Sequence, residues 1–158
     1  MERPTLYMET TVPSYLLAEP SRDVLSLARQ EITRAWWHRH GARFAIFVSE
    51  VVLEEAQEGD RLAARRRREF LDQFRVLEVT PDAEELTQLY VDSGVVPARY
   101  QRDAAHLALA TLYEMQFLCT WNLRHLANAF ALKRFQQVNE KQGLFVPQVC
   151  TPEQLLGE

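Results

Sequence analysis

The stretch YQRDAAHLALATLYEMQFLCTWNLRHLAN, residues 100–128, sets an aspartate and a histidine, Asp103 and His106, three positions apart. On a helix that spacing puts both on one face. An apolar run follows, then Thr120, Trp121 and Asn122, then a second histidine, His125. Other acids stand beside apolar runs. Glu9 closes TLYME (5–9), and Glu50, Glu54, Glu55 and Glu58 follow RFAIFVS (43–49). Carboxylates joined by an amide are ligands for a hard divalent cation, Mg2+ or Mn2+ rather than zinc. The usual chemistry of such a set is metal-assisted phosphodiester hydrolysis.

Singly, each residue has an ordinary reading. Asp103 opens the strongest helical pattern, where aspartate as an N-cap is worth about 1 kcal/mol. The cap and ligand roles can coexist. A helical histidine such as His106, beside an apolar stripe, is more often a satisfied core residue than a ligand. Glu55 lies within one turn of Val51 and Val52, so it borders the apolar face; its neighbour Glu54 competes for the same role. Glu50 and Glu54 also fit a solvated acidic face near a helix N-terminus. Thr10 and Thr11 follow Glu9 and can orient a carboxylate or a metal-bound water. Thr120 and Asn122 share one side of a predicted strand, because strand side chains alternate.

These residues need elements to gather them. TLYME reads as a strand and VPSYLLAEPS as a break and turn. Apolar residues at 24, 25, 27, 28, 32, 35 and 36 recur with a helical period. Ser21 is the predicted N-cap of that helix and Gly41 its stop. RFAIFVS is a continuous apolar run, as in a strand buried on both faces. Helices are predicted over 50–60 and 61–74, and a strand over 75–79. Thr80 and Pro81 form a helix start. The helix carrying Asp103 leads into the strand QFLCTW. LANAFALKRFQQVNEKQG is another helix, PQVC a strand, and TPEQ a capping pattern. Strands alternate with helices and no hairpin turn joins two strands. The fold class is therefore α/β, a sandwich with a central parallel sheet flanked by helices. In such sheets, sites form outside the carboxyl ends of the strands. Glu9, Ser49 and Asn122 each fall there.

The chain has 158 residues and a net charge of −4, with a pI of about 5.6. That length suits one domain, 1–158. The acidic balance carries no global signature of nucleic-acid binding, although a local basic patch can still bind phosphate. Cys119 and Cys150 sit in apolar runs and read as buried, reduced thiols of a cytoplasmic protein. MERPTLYMETTVPSYLL has acids and prolines where a signal peptide needs an apolar core. No apolar run approaches the roughly 18 residues of a membrane span. Only five glycines occur, unclustered, so there is no phosphate-binding glycine loop. No Ser-His-Asp or Cys-His constellation competes.

The ordered set YMETTVPSYLL, FVSEVVLEEAQEGD, RDAAHLALA and LCTWNLRHLAN resembles the PIN-domain family, and within it the VapC-type toxins of toxin–antitoxin pairs. The resemblance spans essentially the whole chain. It implies a PIN fold, a metal-dependent ribonuclease, a homodimer, and neutralisation by a small antitoxin protein. It also implies four metal-binding catalytic positions, Glu9, Glu55, Asp103 and Asn122, with Glu54 as the fallback for Glu55. Two depart from the family pattern, Glu9 and Asn122, both usually aspartate. The formal charge of this set is −3, which favours one tightly held ion. Thr10, His106 and Thr120 are supporting residues. Arg99, Arg102 and Arg124 flank the site as candidates for RNA phosphates. The arginines of RLAARRRRE read equally as a solvated helix surface or as phosphate ligands. Trp36, Trp37 and Trp121 are candidates for base stacking, for the core or for a dimer interface. A PIN-like module that binds RNA or protein without cutting is the rival reading, favoured by Asn122. A di-iron helical protein would need Glu-x-x-His on two helices, and only one Asp-x-x-His occurs.

Overall fold

A computed structural model describes residues 2–157. Five short strands form one parallel sheet: β1 (Thr5–Met8), β2 (Ala45–Ser49), β3 (Arg75–Leu77), β4 (Phe117–Cys119) and β5 (Gln148–Cys150). The spatial order is β3-β2-β1-β4-β5. Tyr7 pairs with Phe47 on one side of β1, and Met8 with Cys119 on the other. Such parallel neighbours require crossovers, and helices supply them. Seven α-helices lie among the described residues: α1 (Thr11–Leu17), α2 (Val24–His40), α3 (Glu50–Ala56), α4 (Arg61–Leu71), α5 (Pro81–Asp92), α6 (Gln101–Leu112) and α7 (Ala129–Gln142). α1 packs against α2 and α4, and α5 against α6. The result is the expected α/β sandwich. Leu6, Tyr7 and Met8 of the central strand are wholly buried, which is why β1 is apolar without alternation.

Several boundaries differ from the sequence expectation. The segment read as a break after β1 is the helix α1. Pro13 stands in its first turn, where its missing N–H costs no helical bond, and Val12, Pro13 and Leu16 are buried. Asp23, not Ser21, caps α2, accepting a hydrogen bond from the Ser26 amide at 2.9 Å. Ser21 accepts from the Asp23 amide instead. α4 stops at Leu71, β3 stops at Leu77, and α7 starts at Ala129 under an Asn128 cap. β4 ends at Cys119, so Thr120 and Asn122 lie beyond the strand and its alternation does not relate them. Asp103 is not an N-cap: Tyr100 occupies that position, and Asp103 sits in the first turn of α6. Thr80 does cap α5, accepting from the Ala83 amide at 3.1 Å. The TPEQ pattern makes its reciprocal bonds between Thr151 and Gln154, but over a single 3-10 turn.

Trp36 is fully buried, and Trp37 packs edge-on against Phe70 and Phe74. Trp36 therefore offers no face for a dimer, and Trp37 is half-buried against those rings. Trp121 is also buried, its indole N–H donating to Thr33 Oγ1 at 2.8 Å. Cys119 and Cys150 are free, buried and in register on adjacent strands. Burial pushes both thiols up, Cys150 to about 12. No helix among the described residues is long and apolar enough to cross a membrane.

The end of α2 leaves little room. A Cβ on Gly41 would stand 2.7 Å from Cε3 of Trp37, and that ring is already pinned by Phe70 and Phe74. Gly41→Ala therefore overpacks the aromatic cluster, and the expected loss is about 1–3 kcal/mol. Denaturant unfolding checks it; an unchanged midpoint means the indole moves freely.

Candidate active site

Strand order departs from β1 in both directions, with β2 on one side and β4 on the other. The carboxyl ends of these three strands bound a crevice at the switch point of the sheet. Each contributes. Glu9 follows β1 directly, its amide extending the ladder to the Cys119 carbonyl at 3.1 Å. β2 runs straight into α3 through Ser49, whose Oγ caps the helix by accepting from the Val52 amide. Glu55 is one turn further along α3. Thr120 follows β4.

Two carboxylates meet here, each held by one oxygen. Glu9, only 3 % exposed, accepts at Oε1 from Thr11 Oγ1 (2.5 Å), Thr120 Oγ1 (2.6 Å) and the Thr11 amide (3.2 Å). Glu55 Oε1 accepts from Thr10 Oγ1 at 2.7 Å and meets His106 Nε2 at 2.6 Å. Adjacent threonines thus serve different carboxylates, Thr10 reaching α3 and Thr11 reaching back to Glu9. The Glu9 and Glu55 carboxylates and one ring nitrogen of His106 offer atoms all within 4.8 Å of one another.

Behind Glu55 runs a buried polar column. His106 Nδ1 lies 2.6 Å from Tyr7 Oη, which lies 2.7 Å from Ser49 Oγ. His106 is fully buried. The 2.6 Å contact with the acceptor-only Glu55 carboxylate puts a hydrogen on Nε2, and because hydroxyls rotate, Tyr7 and Ser49 satisfy Nδ1 with or without a hydrogen of its own. Burial raises the Glu9 carboxyl above the usual range, the Glu55 charge adds to this, and His106, Thr11 and Thr120 oppose it. Burial would also raise Glu55, but the His106 hydrogen bond and charge, with Thr10, hold it below its ordinary value. His106 is the reverse case: burial lowers it, and Glu55, by hydrogen bond and charge, overcomes this and raises it.

The other two expected ligands are engaged elsewhere. Asp103, on the face of α6 that carries His106, has Oδ2 3.0 Å from His125 Nδ1. The His125 ring packs on Tyr100 with centroids 4.1 Å apart. Asn122 Oδ1 accepts from the His125 amide at 2.9 Å, closing a turn that also bonds the Asn122 carbonyl to Leu126 and Ala127. Glu54 is exposed and outside the cluster. Of the arginines, Arg102 pairs with Glu58 at the rim, and Arg99 stacks over Tyr100. Arg124 is exposed. On α4, Arg65 pairs with Glu69, Arg66 with Glu19, and Arg67 donates to the carbonyls of Ala56 and Glu58. An open groove of about 660 Å³ runs from Glu9 and Glu55 past Thr11, Ser14 and Tyr15 toward Gln30.

Sequence reasoning placed Ser49 where a site forms but gave it no role, and it passed over Tyr7 and His125 as site residues. Tyr7 carried one usable signal, a phenol inside a strand buried on both faces, where the hydroxyl must find a partner. His125 carried none, because its partner is 22 positions away.

No protein-family model matches the chain, and no curated protein does. Solved structures do. VapC20 of Mycobacterium tuberculosis, described as a toxin that cleaves the sarcin–ricin loop, aligns at 18% identity over 72% of this chain and 87% of its own, with a TM-score of 0.55. VapBC2 of Rickettsia felis, bound to a promoter DNA fragment, gives 14% identity, 93% and 98% coverage, and a TM-score of 0.58. DNA-bound VapBC of Salmonella typhimurium gives 13%, 94%, 98% and 0.56. The chain has the PIN fold of the VapC toxins. In that VapC-like fold, the cluster of Glu9, Glu55 and His106 lies at the carboxyl ends of the central strands.

The His106–Glu55 pair ties stability to pH. The raised histidine contributes fully below its unfolded value of about 6.5, and this is lost as pH rises through the higher folded value. The lowered glutamate contributes above about 4.5, and this is lost as pH falls through the lower folded value. Glu9 acts oppositely to Glu55, because its raised carboxyl favours the fold as pH falls. In metal-free protein the advantage of wild type over His106→Gln should therefore peak between about 4.5 and 6.5 and shrink on both sides. Urea unfolding across pH measures it; a flat difference rejects the coupling.

Proposed function

We propose that this protein is a VapC-type ribonuclease that hydrolyses RNA phosphodiester bonds with a carboxylate-held divalent cation. The observation that carries the reading is the close approach of buried Glu9 and part-buried Glu55 at the switch point of a VapC-like sheet. Two carboxylates about 4 Å apart repel by roughly 4 kcal/mol at an effective dielectric near 20. A cation removes that cost; burial, with the Glu55 charge as a lesser contribution, raises the Glu9 carboxyl.

The donor set fits Mg2+ or Mn2+. Glu9 and Glu55 would hold the ion, with Asp103 and Asn122 at the α6 side of the rim. When bound, it supplies an activated water and neutralises charge on the phosphate. The chain's own residues do the rest. Thr11 and Thr120 fix the plane of Glu9, and Thr10 and His106 fix that of Glu55. One water is consumed, one P–O bond breaks, and the products carry a phosphate and a hydroxyl end. Arg99, Arg102 and Arg124 are the cations placed to meet RNA phosphates beside the site. Neutralisation by a small antitoxin is supported by two structural neighbours being VapBC assemblies. A homodimer follows from the resemblance alone, and the cytoplasm from the reading of Cys119 and Cys150 as buried, reduced thiols.

A second reading, a PIN-like module that binds RNA or protein without cutting, draws on one feature. Asp103 and Asn122 are both tied to His125 rather than to the glutamates.

Cleavage of a pool of tRNA and structured RNA separates the two. Wild type should cut with Mn2+ or Mg2+ and not with EDTA. Glu55→Gln and Asp103→Ala should each lose about 100-fold or more. Retardation of RNA without cutting, by folded and metal-supplied wild type, moves the assignment to the binding module.

A further inference from the structure

Two of the four oxygen donors expected at the cation have other partners. Asp103 faces His125, and the Asn122 side chain closes a backbone turn. In their place a nitrogen reaches the glutamates. His106 Nε2 touches Glu55 and shares the 4.8 Å cluster with Glu9. The ring is fully buried, so this is not a solvated side chain passing by. Its far nitrogen is fixed by Tyr7, itself fixed by Ser49. A ring held from behind in this way, with its near nitrogen among carboxylates, is how metal-bound imidazoles are oriented. A bound cation would take the place of the hydrogen that Nε2 shares with Glu55, leaving Nδ1–H to donate to Tyr7 and Tyr7 to donate on to Ser49. The charge also balances once the cation replaces that hydrogen, because two carboxylates and a neutral imidazole match one dication.

We propose that Glu9, Glu55 and His106 form a mixed oxygen–nitrogen centre for one transition-metal dication such as Mn2+, rather than an oxygen-only Mg2+ centre. The inference rests on the metal-dependent reading above and names the ion of that same site. Mg2+ takes oxygen ligands and keeps its waters, whereas imidazole suits first-row transition metals, among which Mn2+ also favours carboxylates. The buried nitrogen therefore tilts the site away from Mg2+.

The test uses the full chain, stripped with EDTA and given one equivalent of Mn2+ without RNA. Electron spin-echo modulation should show a coupled nitrogen that changes isotope when the protein carries 15N-histidine. His125→Gln should keep that signal and His106→Gln should remove it. By calorimetry, His106→Gln should weaken Mn2+ binding by about tenfold or more, and Mg2+ binding by less than about threefold. Tightly bound Mn2+ without a histidine nitrogen overturns the proposal; His106 then only positions Glu55, and the ribonuclease reading survives. A signal lost in His125→Gln instead also overturns it. If wild type binds neither ion, the metal-dependent reading falls with it. Should His106→Gln not fold, the labelled wild type and His125→Gln still decide.

Discussion

Two carboxylates that repel each other are held side by side, and much of the surrounding structure answers to that constraint. Left alone, Glu9 and Glu55 would separate or protonate. Their positions are fixed by backbone they cannot leave, the end of the central strand and the first turns of the helix after β2. Hydroxyls and one imidazole then crowd a single oxygen of each group. Such bonds to an ionised acceptor are among the stronger ones a protein makes. They spend Oε1 and fix the orientation of the rest of each carboxylate before any ligand arrives.

The economy of this arrangement lies in the chain entering α1 immediately after β1. Thr10 and Thr11 are consecutive, yet the start of the helix turns their hydroxyls to different carboxylates. A loop in that place would leave both hydroxyls free to rotate. The backbone geometry that the sequence disguised with Pro13 is thus what ties β1 to α3. Thr120 completes the tie from β4, so the end of every strand bordering the crevice contributes one contact.

Identities of 13–18% with the VapC structures at TM-scores of 0.55–0.58 show how little of the side-chain detail a fold needs. A fold accommodates many chemistries, and function has to be argued from the site. Here the site has paired acids at the switch point, while the α6 side of the rim is organised around His125. That histidine draws Asp103 and Asn122 into one small cluster with Tyr100.

The sequence by itself determined the parallel α/β sheet, because apolar runs without alternation, separated by helical periods, have few other solutions. It also placed Glu9, Ser49 and Asn122 at or just past strand ends, and it marked Thr80 and Gly41 as helix limits, since caps and stops are local effects. It misjudged α1, because proline reads as a breaker until its position in the first turn is known. It took Asp103 for a cap because good caps and good ligands are the same residue types. What only the tertiary structure decided is which acids meet. Glu9, Glu55 and His106 lie 46 and 51 positions apart along the chain, and no local pattern encodes a distance between them. The crossovers of the sheet set that distance, and side-chain hydrogen bonds across it chose His106 over Asp103 as the neighbour of the two glutamates.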